Sequence, residues 1–139
     1  MQVHRSPFIR IYFYEEQSLL ESIWTAESVE MTPELIKDEY KRRFALIERY
    51  NPTRLLNNTH NFYYRIPPDC QEWISNNVLD KYHQYGVQKI AYIISDDIIA
   101  QISIEQLIQE KPDREYEIRY FDSREEALDW LVPEEPVLA

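Results

Sequence analysis

The sequence predicts an α/β fold: a mixed five-stranded sheet, first strand antiparallel and the rest parallel, with four helices in the order β-β-α-β-α-β-α-β-α. Three observations predict it. Residues 8–14 and 19–26 are aromatic and β-branched runs separated only by Glu15-Glu16-Gln17-Ser18, a connection so short that it must be an antiparallel hairpin. Beyond the hairpin, a helix-length amphipathic segment separates each strand-like run from the next, the pattern of parallel strands joined by crossovers. The run 86–96 opens on the only glycine of the chain and is apolar from Ile90 to Ile94, as a strand buried on both faces reads.

The elements follow in order. Thr32-Pro33-Glu34 is a helix start: threonine caps, proline suits the first helical position, and glutamate faces the positive end of the dipole. Met31 and Ile36 stand at staple positions, and Ile36, Tyr40, Phe44 and Ile47 mark the buried face. Asp38 with Arg42 and Glu39 with Arg43 are expected to pair on the outer face. Asn51-Pro52 ends this helix near Tyr50. A third strand is predicted over 53–58, then a loop through Phe62-Tyr63-Tyr64-Arg65, then a second helix from Pro67-Pro68-Asp69 with Cys70, Trp73, Ile74, Val78 and Tyr82 as its buried stripe. Gly86 falls just past this helix, where the chain often turns left-handed. A third helix is predicted over about 96–110, with a capping-box pattern at Ser103–Gln106 that would split it. The fifth strand spans 115–121, and Asp122-Ser123-Arg124-Glu125-Glu126 opens a last helix stopped by Pro133. Residues 1–139 read as a single domain, with a frayed tail over 132–139.

Composition narrows the function classes. The formal charge of −10 disfavours nucleic acid and anionic membrane surfaces, and Lys41-Arg42-Arg43 is offset by Asp38 and Glu39. Six acids against one arginine between Asp122 and Ala139 read as a solvated helix face and tail. One cysteine excludes an internal disulfide, and no apolar run has the length of a signal core or membrane span, so a cytoplasmic location without membrane insertion is expected. A single glycine leaves no phosphate-cradling loop or dinucleotide fingerprint, and His4, His60, His83 and Cys70 lack zinc-site spacings. No cofactor and no metal are expected.

Trp24, Met31-Thr32-Pro33-Glu34, Pro68-Asp69-Cys70-Gln71-Glu72-Trp73, Gly86-Val87-Gln88-Lys89-Ile90-Ala91, and the closing Tyr120-Phe121-Asp122-Ser123-Arg124-Glu125-Glu126-Ala127-Leu128-Asp129-Trp130-Leu131 are phrases that together resemble the SpoIIAA-like family, with the STAS-type fold of anti-sigma-factor antagonists. The resemblance covers about residues 8–132 and implies a regulatory, non-enzymatic domain. Signalling members carry an Asp-Ser-Ser-Gly-like phosphoacceptor loop after the third strand. Here that loop reads Asn57-Asn58-Thr59-His60-Asn61, without serine or glycine.

A parallel sheet brings the ends of the third and fourth strands to one edge, where α/β sheets bind ligands. Asn58, Thr59, His60, Phe62, Tyr63, Tyr64, Ser95 and Asp96 are therefore the candidate partner- or ligand-binding residues, and none is assigned as catalytic. A histidine beside carboxylates has the means for acid–base work; helix capping and turn formation account for the same residues. Three successive aromatics cannot all enter one core, so at least one is expected to be exposed or to cover a groove. Cys70 in the first turn of a helix invites a thiolate, but its place on the apolar stripe predicts an inert buried thiol. The expected partner is another protein or a second copy of the chain. The alternative is a small apolar or amphipathic ligand held between helices and sheet, which would need a cavity of roughly 300–1,000 Å³.

Overall fold

The computed structural model describes residues 1–133; the tail expected over 132–139 lies, from residue 134 on, outside the described residues. Its centre is one sheet in the order β1 (Gln2–Arg5), β2 (Ile9–Tyr14), β3 (Leu19–Trp24), β4 (Arg54–Asn58), β5 (Lys89–Ile93), β6 (Glu117–Phe121). The β1–β2 and β2–β3 pairs are antiparallel, and the three remaining pairs are parallel. Four α-helices accompany it: α1 (Pro33–Tyr50), α2 (Pro68–Asn77), α3 (Ile98–Gln109) and α4 (Arg124–Leu131).

The period of two along each strand sorts side chains into two cores. Ile9, Ile11, Phe13, Leu20, Trp24, Leu55, Ile90 and Tyr92 meet residues of α1, α2 and α3 in the larger one. Leu19, Leu56, Ala91 and Ile93 meet Ala127 and Leu131 of α4 in the smaller. β5 is thus buried on both faces, as its unbroken apolar run requires, although it lies one strand from the edge rather than in the middle.

Local signals place the element ends. The Thr32 hydroxyl accepts from the Leu35 N–H at 3.3 Å, and Met31 and Ile36 are both buried. Asn51 closes α1 in the left-handed region with φ 47°. Gly86 does the same after the 3₁₀ segment Leu79–Tyr85, with φ 95°. The Ser123 hydroxyl accepts from the Glu126 N–H at 3.2 Å to start α4.

Four expectations need correction. Gln2–Arg5 forms a sixth strand, which the sequence hides because a short, half-exposed edge strand needs backbone partners rather than an apolar pattern. α3 runs unbroken through Ser103, whose hydroxyl donates to the Ala100 carbonyl at 2.7 Å instead of capping a new helix. Trp73 leaves the buried stripe of α2 and lies half-exposed with Lys37 and Lys41 about its ring, at 5.5 and 5.4 Å. Arg43 does not pair with Glu39 on the outer face: both are buried, Arg43 against the sheet and Glu39 between His4 at 3.1 Å and Arg42 at 3.2 Å. The strand β1 and the polar residues of β3 give these charged groups internal partners that helical spacing cannot foresee.

Candidate functional site

Asn58 of β4 pairs with Ile93 of β5, so the loops that follow both strands leave the sheet side by side. They are laced together. The Asp96 N–H donates to the His60 carbonyl at 3.0 Å, and the Ser95 hydroxyl donates to the Phe62 carbonyl at 2.7 Å. The Thr59 hydroxyl donates to the carbonyl of Ile93. The Asn58 side chain accepts from the His60 N–H at 3.2 Å, the Asx turn that asparagine favours. The parallel topology therefore brings the two predicted loops together, and the contact is made by backbone and hydroxyl groups.

A third segment joins them. After β3 the chain makes a 3₁₀ turn, Ala26–Glu30, whose buried Ser28 donates to the Asn61 carbonyl at 3.2 Å and accepts from the Tyr63 N–H at 2.8 Å. The far end of the loop is held by α2 and α3. The Ile66 N–H donates to Ser103 Oγ at 3.1 Å, while Gln71 Nε2 donates to the Ile66 carbonyl at 2.9 Å and to Gln106 Oε1 at 3.0 Å. Such tethering leaves residues 59–66 little conformational freedom, so this edge is preorganised.

The predicted residues divide by burial. Thr59, Phe62 and Ser95 are buried; Phe62 stands edge-on to Trp24 with ring centroids 4.9 Å apart. The backbone N–H of Ser95 donates to Gln101 Oε1 at 2.9 Å, which ties the edge to α3. Asn58, Tyr63 and Tyr64 are half-buried, and His60 and Asp96 are exposed. Burial raises the Tyr64 hydroxyl pKa, with Cys70 and Glu34 adding to it. Among the described residues neither the His60 imidazole nor the Asp96 carboxylate forms an ion pair, and their link is the backbone bond alone. The acid that is engaged is Asp97. Its carboxylate caps α3 by accepting from the Ile99 and Ala100 N–H groups at 2.8 and 3.0 Å, and faces Arg65 at 3.5 Å. Those backbone bonds, chiefly that of Ala100, hold the Asp97 carboxyl below its ordinary pKa.

What sequence reasoning passed over is the first turn of α3. Ile98 is 75% exposed, Ile99 47% and Ile102, one turn further on, 43%; the helix start adjoins the loop of His60 through the Asp96–His60 backbone bond and the Asp97–Arg65 pair. The counterparts of these isoleucines, Ala100, Ile104 and Leu107, are fully buried. The signal was present in the numbering: the seven apolar residues of α3 fall on more than one side of the helix, and a helix against one sheet face can bury only one stripe.

Elsewhere the chemistry is muted. Cys70 is buried on the apolar stripe, and burial pushes its thiol pKa up, which disfavours the thiolate. No group of three or more His, Cys, Asp or Glu side chains among the described residues is arranged to hold a metal ion. No described helix is long and apolar enough to cross a membrane. Clefts of about 330 Å³ beside Tyr14, Arg124 and Leu128, and about 220 Å³ beside Ile108, Tyr116 and Tyr120, open on the surface away from the loop edge. Comparison with protein-family models, with curated proteins and with solved structures finds no match to the chain.

Proposed function

We propose that this chain is a non-enzymatic regulatory or protein-interaction domain of the SpoIIAA-like kind, and that it docks through the edge built by the loop after β4 and the first turn of α3. One observation carries the reading: Ile98, Ile99 and Ile102 stand exposed together on a rigid edge. Exposed aliphatic residues gathered beside aromatic and polar ones are the composition of an interaction site, whereas single scattered ones need no explanation. Tyr63, His60 and Asp96 supply the polar margin. Three antiparallel strands followed by parallel β-α-β units support an α/β fold, the class to which the family resemblance points.

Regulation in this reading does not run through the loop hydroxyl. Thr59 is 2% exposed and its hydroxyl is already bonded to the Ile93 carbonyl, so a modifying enzyme would have to open the edge to reach it.

The test compares wild type with the double variant Ile98→Asp/Ile102→Asp. Native mass spectrometry and sedimentation velocity of protein purified from its source should show a complex, with itself or with another protein, that the double variant loses. A complex retained at undiminished affinity by a variant that folds normally would place the docking surface elsewhere.

A further inference from the structure

Among the described residues the sheet ends at β6, which has a strand on one side only. The Glu117 N–H donates to the Gln88 carbonyl at 3.0 Å, and the Phe121 carbonyl accepts from the Ile94 N–H at 2.9 Å. In the parallel ladder with β5, residues 117, 119 and 121 therefore turn their backbone groups inward. Ile118 and Tyr120 turn theirs the other way, where no described strand meets them, and Tyr116 just ahead of the strand shares that outward phase. The opposite edge of the sheet is guarded: β1 breaks register between Gln2 and His4, the kind of irregularity that turns an edge away from a new strand. β6 contains no proline and pairs with β5 without a break from Glu117 to Phe121.

The side chains of β6 sort by face. Tyr116, Ile118 and Tyr120 lie on the side of the larger core, Tyr116 buried and the other two half-buried. With Ile108 and Pro112 they line a cleft of about 220 Å³ beside the open edge. Glu117 and Arg119 lie on the other face, 4.0 Å apart, their side chains 64% and 58% exposed. Charges guard an edge when they repel a second copy. An acid and a base two residues apart repel a copy in some registers and attract it in one.

The registers of an antiparallel copy differ in where the two-fold axis passes. An axis at Glu117 or at Arg119 sets that residue against itself, and like charges directly opposite are destabilising. An axis at Tyr120 leaves Arg119 facing the partner's Phe121, with no countercharge. At Ile118 the axis sets Glu117 against the partner's Arg119 and Arg119 against the partner's Glu117. The same register places Ile118 against the partner's Ile118 and Tyr120 against the partner's Tyr116, pairs whose N–H and C=O groups all point outward and exchange hydrogen bonds. Charge, backbone phase and the apolar row select one register.

We propose that β6 is a self-pairing edge, through which two copies of this chain join antiparallel about a two-fold axis at Ile118 and continue the sheet across both subunits. A second copy fits because the edge carries its own complement. This surface is separate from Ile98 and Ile102, so a dimer retained by Ile98→Asp/Ile102→Asp belongs to β6, and the docking edge is judged on the partners that bind this dimer.

Sedimentation equilibrium of the whole chain between micromolar and millimolar concentration should show monomer and dimer in exchange, as suits an interface of one strand. Arg119→Glu and Glu117→Arg each set like charges opposite at both facing pairs, and each should weaken the dimer by roughly tenfold or more. Mixed in equal amounts, the two variants should form a heterodimer tighter than either makes alone, since every facing pair is then opposite in sign. In the wild type, amide exchange at Ile118 and Tyr120 should slow as concentration rises, while the Glu117 and Arg119 N–H groups, turned to β5, stay slow throughout. A chain that remains monomeric at millimolar concentration, variants that dimerise as wild type does, or a mixture no tighter than its components would each overturn the pairing. So would Ile118 and Tyr120 amides whose exchange ignores concentration, a readout that needs no variant.

Discussion

Gly86 shows how a single residue can matter through its backbone alone. Its φ is 95°, and a Cβ added there would meet nothing within 4 Å. Gly86→Ala should therefore cost about 1 kcal/mol through the left-handed backbone and nothing through crowding, measured by urea unfolding. The buried tyrosines carry a second residue-scale prediction. Burial raises the hydroxyl pKa of Tyr40, Tyr82, Tyr92, Tyr116 and Tyr120, with Tyr82 reaching about 12. In the unfolded chain these groups ionise near the ordinary value of 10, so above that pH the unfolded state binds fewer protons than the folded one. The stabilising contribution is whole below pH ~10 and falls above it, by roughly 1.4 kcal/mol per pH unit for each such tyrosine. Denaturant midpoints measured from about pH 9 to 12 should fall steeply, and tyrosinate absorbance should lag until the protein unfolds.

At the scale of elements, α4 is held to the far face of the sheet by apolar packing and by one ion pair. Glu21 of β3 is 1% exposed, accepts from Arg124 Nε at 2.6 Å and Nη2 at 3.0 Å, and accepts from the Tyr14 hydroxyl at 3.2 Å. The paired geometry raises the Arg124 pKa, the Glu21 hydrogen bond contributing most. Because Arg124 itself is half-exposed, solvent screens part of the attraction, and the loss on mutation comes mainly from stranding a buried carboxylate. Arg124→Ala should destabilise by about 2 kcal/mol and speed hydrogen exchange through α4 more than through α1. Little change in either would mean that the small core alone seats the helix. Trp130 adds to that seat from the same helix, with Lys89 4.9 Å and Arg119 5.0 Å from its ring centroid.

For the molecule as a whole, rigidity and stickiness meet at one edge. The loops after β3, β4 and β5 are cross-bonded through Ser28, Thr59 and Ser95, yet the first turn of α3 beside them leaves isoleucines in water. Exposed side chains of this kind contribute little to folding, so Ile98→Asp should change stability by less than about 0.5 kcal/mol. The same substitution should weaken association, and a calorimetric scan beside a binding titration separates the two effects.

Much of the architecture is legible in the sequence alone. The hairpin, the crossover segments, the caps at Thr32 and Ser123 and the left-handed turn at Gly86 depend on local chemistry, which neighbouring residues determine. Parallel topology then sufficed to bring the segments of His60 and Asp96 to one edge. Other features depended on tertiary structure, since they need partners distant in sequence. β1 exists because β2 offers an open edge, and Arg43 turns inward because Ser22 and Tyr82 wait for its guanidinium. Which isoleucines of α3 stay in water was decided the same way, because its apolar residues are spread around the helix and carry no sign of the buried side until a sheet covers it.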